Sequence, residues 1–205
     1  MIRLAKENLN TSHEYNQIFQ ARQEIDANWQ DLRRWKKLLR FFRGGNLLDV
    51  GCLDSNIPVT AMALYPNTQA WGIDIAWESI RTMSRKFPEV NYEVQDLYKM
   101  KFKDGFFDYV VLGEVLEHLE SPQDAIRESV RVLKPKGVLS ISVPLNEAKE
   151  PGACDGARHL WSIDTNDMLQ LLRPHGKVKV EILGSKYFPK YQYAWPSLIC
   201  FCRKK

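Results

Sequence analysis

Five short apolar runs separated by amphipathic segments constrain this chain more than any other feature. They are Asn46–Val50, Gln69–Ile73, Val90–Val94, Phe106–Leu112 and Val138–Val143. Residues 56–65, 77–87 and 122–133 between them carry helical periodicity, with Pro88 closing the second. Before the third, Ser121 is the expected cap, Pro122 takes the first helical position, and Asp124 stands at the positive end. The fourth run, Phe106–Leu112, is continuously apolar and suits a central strand of a parallel sheet. The alternation of the five runs with helices implies a doubly wound α/β sheet with right-handed crossovers. Such sheets bind ligands beyond the carboxyl ends of their strands, where strand order reverses. The residues just after the first four runs therefore matter most.

Three of those ends are acidic: Asp49, Asp74 and Asp96. Gly51 follows Asp49 and permits a tight turn with close approach of a ligand to the backbone. A dinucleotide cradle needs G-x-G-x-x-G, but Leu53 and Asn56 stand where its later glycines belong. A nicotinamide-dependent oxidoreductase is therefore disfavoured. The acidic turn suits a ligand with a cationic amino group better than a diphosphate. Asp74 can accept from both hydroxyls of a ribose, and Asp96 from an exocyclic amine such as that of adenine. The three acids together are a more specific signal than any one alone.

Residues 12–43 read as helix, with a break near Asp26-Ala27-Asn28. Thr11 or Ser12 caps it, and Gly44-Gly45 ends it. Ile18, Ile25, Trp29, Leu32, Trp35, Leu38, Leu39 and Phe42 form its apolar face; Arg33, Arg34, Lys36, Lys37, Arg40 and Arg43 lie opposite. The basic face reads as a solvated surface, or as a patch steering an anionic acceptor. Residues 145–160 read as a loop and 164–172 as a short helix. Val178–Leu183 and Leu198–Cys202 are closing strands, joined by a segment holding Tyr187, Phe188, Tyr191, Tyr193 and Trp195. With 29 basic and 25 acidic residues, the net charge of +4 neither requires nor excludes a nucleic-acid partner. Cys52, Cys154, Cys200 and Cys202 lack zinc spacing and read as buried free thiols. No signal peptide or membrane span is expected, so the expected location is the cytoplasm.

These features resemble the class I S-adenosylmethionine-dependent methyltransferases, of the type 11/23-like group. LLDVGC (47–52) resembles the first motif, GIDI (72–75) the second and QDL (95–97) the third. FDYVVLGEVLEHLESP (107–122) resembles the fourth-strand segment, and RVLKPKGVLSISVP (131–144) the entry to the fifth strand. The match covers about residues 46–145 well and extends more loosely to the C-terminus. It implies a Rossmann-like, doubly wound, seven-stranded, mostly parallel sheet ordered 3-2-1-4-5-7-6, its last strand antiparallel. Residues 1–45 would be an N-terminal helical extension and 46–205 the methyltransferase domain. The implied cofactor is S-adenosyl-L-methionine, held by Asp49, Gly51, Asp74, Ile75, Asp96, Leu97 and Gly113. The chain departs from the family's G-x-G-x-G at Leu53 and Ser55. A side chain at Leu53 either crowds the cofactor's methionine portion or bulges the loop.

Glu114 and His118 are the candidate catalytic residues. They stand four apart, on one face if the segment is a helical turn. Methyl transfer needs the acceptor placed in line with the sulfonium carbon, and a neutral His can take a proton from an acceptor hydroxyl. Glu114, Glu117, His118 and His159 are also metal-ligating types. E-x-x-E-H with a later His resembles the metal site of small-RNA 2′-O-methyltransferases and a set in some quinone-pathway O-methyltransferases. Such segments are also common in relatives without metal, so no metal is assigned. The expected activity is methyl transfer to a small-molecule acceptor. RNA as acceptor, or a non-catalytic cofactor- or partner-binding protein, is the alternative. The oligomeric state is not legible.

Overall fold

In the computed structural model the described residues are 1–5, 8, 10–22, 29–145, 159–184 and 196–205. Helices α1 (Ser12–Arg22) and α2 (Trp29–Leu38) precede the alternating region. That region runs β2 (Gly45–Val50), α3 (Ile57–Leu64), β3 (Thr68–Asp74), α4 (Trp77–Lys86), β4 (Asn91–Val94) and β5 (Phe107–Gly113). It continues through α5 (Pro122–Val132), β6 (Leu133–Pro144), α6 (Thr165–Leu172), β8 (Gly176–Leu183) and β9 (Ser197–Lys204). Two-residue strands β1 (Ile2–Arg3) and β7 (Trp161–Ser162) pair antiparallel as a separate ribbon.

The main sheet has seven strands in the order β4-β3-β2-β5-β6-β9-β8. From β4 to β6 all neighbours are parallel, while β9 runs antiparallel to β6 and β8. Counted from β2, this is the expected 3-2-1-4-5-7-6 arrangement. Order reverses at β2, which lies between β3 and β5. Its carboxyl end is therefore the switch point where such sheets bind ligands.

Strand geometry sends successive side chains to opposite faces. Leu48, Val50, Val110, Leu112, Cys200 and Cys202 join one buried cluster with α5 and α6. Leu47, Tyr109, Val111, Ile199 and Phe201 join the other, beneath α2 and α3. Trp35, Leu38, Leu39 and Phe42 are buried as the periodicity predicts, but Leu32, expected on the same face, is exposed. The orphan carbonyl of Leu38 at the end of α2 accepts from Tyr109 Oη (2.6 Å) and Ser140 Oγ (2.9 Å). This fixes α2 across the centre of the sheet. Cys52, Cys200 and Cys202 are buried free thiols.

Thr11 Oγ1 accepts from the Glu14 N–H and so starts α1. Ser121, by contrast, makes no side-chain cap bond; Pro122 and the helix dipole start α5 without it. The capping box lies at α6 instead, where Asp164 and Asp167 bond each other's backbone N–H. The expected break near residues 26–28, most of the 145–160 loop, Cys154 and the 187–195 aromatics lie outside the described residues, as do the Ile25 and Trp29 side chains.

Candidate active site

The carboxyl end of β2 turns sharply at Gly51, whose φ is +68°. A Cβ there would stand 2.8 Å from Cγ2 of Val115, so both conformation and space exclude a larger residue. The Gly51 and Cys52 N–H groups donate to the Ile73 carbonyl, tying the turn to β3. Leu53 adopts φ +39°, the left-handed region that a glycine would occupy without strain. The strain is compensated by hydrogen bonds: Leu53 N–H donates to Asp74 Oδ2 (2.9 Å), and the Leu53 carbonyl accepts from Ser79 Oγ. The loop keeps a glycine-like course despite the substitution. Its other departure, Ser55, serves the next helix by accepting from Ile57 N–H at 3.1 Å.

Asp74 is buried at the end of β3 and also accepts from Ala76 N–H at 2.8 Å. Burial pushes its carboxyl up, and these backbone donors hold it partly down. Each oxygen thus has one backbone donor and retains lone-pair capacity. Asp96, after β4, is exposed and accepts from Tyr98 N–H at 2.9 Å. Asp49 is fully buried, and that burial pushes its carboxyl up to about 7, against a partly offsetting hydrogen bond from Ser55. Burial also pushes the neighbouring Cys52 thiol far up, which excludes it as a ready nucleophile.

The fourth-strand tip differs from the sequence expectation. Gly113 ends β5, and Glu114 takes φ +57°. The helical turn is a 3₁₀ turn that starts only at Leu116 and ends at His118. Glu114 therefore precedes it and does not share a helical face with His118. Glu114 N–H donates to the Ser142 carbonyl at 3.0 Å, anchoring the tip to β6. Glu117, in the turn, is buried.

A cavity of about 620 Å³ opens over these strand tips. Its size is that of a small-molecule or cofactor site. Asp49, Gly51, Asp74, Ile75, Asp96, Leu97 and Gly113 all line it, as do Glu114, Glu117, His118 and His159. The structure thus brings every singled-out site residue to one space. Two carboxylate oxygens there, Asp49 Oδ2 and Glu114 Oε1, are buried without a hydrogen-bond partner among the described residues. Their strands are neighbours in the sheet, with Val50 opposite Leu112. Buried acceptors of this kind call for a donor, and a cationic amine fits them. The polar groups expected for ribose and adenine recognition lie along the same wall. The donor set therefore fits S-adenosylmethionine.

Sequence reading missed the N-terminal contribution. Asn8, Asn10, Tyr15, Ile18, Arg34 and Trp35 also line the cavity. Ser12 Oγ donates to the Ile75 carbonyl (2.6 Å), Asn16 Oδ1 accepts from Glu78 N–H (3.1 Å), and Asn10 Nδ2 donates to the His118 carbonyl (3.0 Å). These bonds lay α1 and its leading segment across the strand tips. They join segments 60 to 110 residues apart, as the pairs Ser12–Ile75, Asn16–Glu78 and Asn10–His118 show. No local pattern encodes them. The basic face of α2 is partly used internally, since Lys37 and Arg40 both pair with Glu181 of β8.

Comparison with known proteins agrees with this site. A family described as a methyltransferase domain matches residues 48–141. An uncharacterised 37.1 kDa protein in transposon TN4556 of Streptomyces fradiae is 31% identical over 105 residues, 49% of this chain and 30% of that protein. The chain thus spans less than a third of that relative. A demethylmenaquinone methyltransferase of Listeria welshimeri is 29% identical over 179 residues, 84% of this chain and 68% of the relative. Among solved structures, the [4+2]-cyclase SpnF aligns with a TM-score of 0.72 at 22% identity, covering 95% of this chain and 97% of that one. At such identity the likeness concerns fold alone.

Proposed function

We propose that this chain, whose residues 48–141 match a methyltransferase domain family, is a class I S-adenosylmethionine-dependent methyltransferase that methylates a small-molecule acceptor bound beside His118. When bound, S-adenosylmethionine supplies a sulfonium methyl group open to in-line displacement. Asp49 and Glu114 hold its amino group, Asp74 its ribose hydroxyls, and Asp96 with the Leu97 backbone its adenine; Gly51, Ile75 and Gly113 let backbone come close. The observation that carries this reading is the pair of buried, unpartnered carboxylate oxygens on Asp49 and Glu114. Neighbouring strands present them at the switch point, where a cationic ligand satisfies both.

His118 serves the acceptor by placing it and by lowering the cost of removing its proton, while Glu114 stays committed to the cofactor's amino group. Tyr15, Ile18 and Trp35 give the cavity an apolar and aromatic side. That side suits a flat ring, and the Listeria relative is named for a quinone-type acceptor. We therefore place the catalytic domain at residues 46–205 and assign to residues 1–45 the role of closing the acceptor side. The test is methyl transfer from labelled S-adenosylmethionine to a panel of hydroquinones, phenols and RNA, followed as S-adenosylhomocysteine release. Turnover with a ring acceptor is expected. Turnover with RNA alone would overturn the small-molecule reading, and cofactor binding without turnover on any class would favour a non-catalytic protein.

A further inference from the structure

The basic residues of α2 and the turn after it do different work. Lys37 and Arg40 pair with Glu181 of β8, and Arg43 donates to the carbonyls of Arg40 and Phe42. Arg33 and Lys36 are exposed and lie outside the cavity lining. Arg34 lines the cavity and is half-buried there. Its place follows from helix geometry. Arg34 and Leu38 share a face of α2, four residues apart. Leu38 Cδ1 lies 3.3 Å from the point where a Cβ on Gly113 would stand, so α2 packs on the carboxyl tip of β5. Arg34 is about 6 Å further along the helix axis, at the cavity. Among the described lining residues it is the one Lys or Arg, facing carboxylates that include Asp49, Asp74, Asp96 and Glu114. The amino, hydroxyl and adenine-amine groups of the cofactor are donors and match those acids; a guanidinium matches an anion. The cofactor's own carboxylate has another source of positive potential, the amino end of α3 directly after the Gly51 turn. Arg34 stands instead with Trp35, Tyr15 and Ile18 on the N-terminal side of the cavity.

We propose that Arg34 anchors a carboxylate carried by the acceptor, so that the substrate is a ring acid whose ring lies on Trp35 and Tyr15 and whose reacting atom faces His118. One guanidinium matches one carboxylate: its planar fork takes both oxygens, and the two charges cancel. A phosphate monoester carries about 1.5–2 negative charges at neutral pH and would leave an excess beside the acids of the cavity. A nucleic-acid strand calls for a row of cations, and the described lining supplies one. The single guanidinium therefore selects a monoanionic acid over both, and over a neutral ring. This deepens the methyltransferase reading and rests on it, because the ring is assigned to that reading's acceptor side.

The test uses the full chain loaded with S-adenosylhomocysteine and titrated by calorimetry. The probes are 4-hydroxybenzoate and 6-hydroxy-2-naphthoate, each compared with its neutral methyl ester. At least one acid should bind about tenfold or more tightly than its ester. Arg34→Gln should abolish that preference. Arg34→Lys should keep part of it, since an ammonium retains the charge and loses the fork. S-adenosylhomocysteine affinity should stay within about twofold of the parent in both variants, which also shows that they fold. Equal binding of acid and ester, no binding of either acid at millimolar concentration, or an acid preference that survives Arg34→Gln overturns the inference alone. So does a larger loss of S-adenosylhomocysteine affinity in Arg34→Gln with an unchanged thermal transition, which moves Arg34 to the cofactor's carboxylate. Tighter binding of 4-hydroxyphenyl phosphate than of 4-hydroxybenzoate overturns the assignment of a carboxylate. Absence of S-adenosylhomocysteine binding in the parent protein overturns the reading beneath, and the inference falls with it.

Discussion

Asp49 shows how one residue joins stability to ligand binding. Its folded-state pKa of about 7 lies above the ordinary carboxylate value because burial disfavours the charged form. Ionising it therefore costs the native state. The cost is absent below about pH 4, grows as pH rises towards 7, and reaches on the order of 4 kcal/mol when ionisation is complete. A cationic amine beside Asp49 favours the ionised form and reverses the penalty. Cofactor binding near pH 6 should therefore release a proton, and affinity should rise from about pH 6 to 7.5, up to roughly tenfold per unit. Calorimetry in buffers of different ionisation enthalpy measures the released proton directly. Asp49→Asn should abolish the release and flatten the pH dependence; proton uptake on binding would contradict the assignment. The acids Asp49, Asp74 and Asp96 were legible in the sequence because each ends an apolar run. The behaviour of Leu53 was not: its left-handed backbone is held by Asp74 and Ser79, more than 20 residues downstream.

At the scale of elements, the central strands β2, β3, β5 and β6 were legible because burial on both faces demands largely apolar runs; β4 is a mostly exposed edge strand, placed by the alternation around it. Boundaries moved where tertiary pairing decided them. β6 begins at Leu133, pairing with Phe107, and a register shift separates that contact from the main ladder at Tyr109–Val138. Its Pro135-Lys136-Gly137 stretch reads as a turn when taken alone. The β1–β7 ribbon has two residues per strand, too few for any periodic signal. The position of α1 is equally non-local, and it carries a functional prediction. Asn10 bridges Tyr15 and the His118 carbonyl at 3.1 and 3.0 Å. Asn10→Ala should loosen this segment over the acceptor side and raise the acceptor KM about fivefold, the worth of roughly one net hydrogen bond. Cofactor affinity should change by less than about twofold. Steady-state kinetics with each substrate varied separates the two effects; a larger loss in cofactor affinity would move Asn10 to the cofactor side.

For the molecule as a whole, the N-terminal helices and the far sheet edge are joined by charge. Glu181 on β8 pairs with Lys37, Arg40 and Lys179, and its carboxyl is held down at about 2, with Lys37 the largest influence. A depressed folded-state pKa contributes stability that is present above the unfolded value near 4 and is lost as pH falls through 2. Glu181→Gln should therefore lower Tm at pH 7 by a few degrees, equivalent to about 1 kcal/mol for a networked surface group. Thermal scans should show the gap closing as pH falls from 5 to 2. No helix among the described residues is long and apolar enough to cross a membrane. The central claim is that acidic strand tips at the switch point of this sheet form an S-adenosylmethionine cradle. The most direct test is calorimetry of S-adenosylhomocysteine with the parent protein and with Asp96→Ala, whose carboxylate accepts one local backbone bond, from Tyr98 N–H, among the described residues. One-to-one binding in the parent, weakened about tenfold or more by the substitution, is the predicted result. No heat at millimolar ligand, or equal affinity in both proteins, would contradict it.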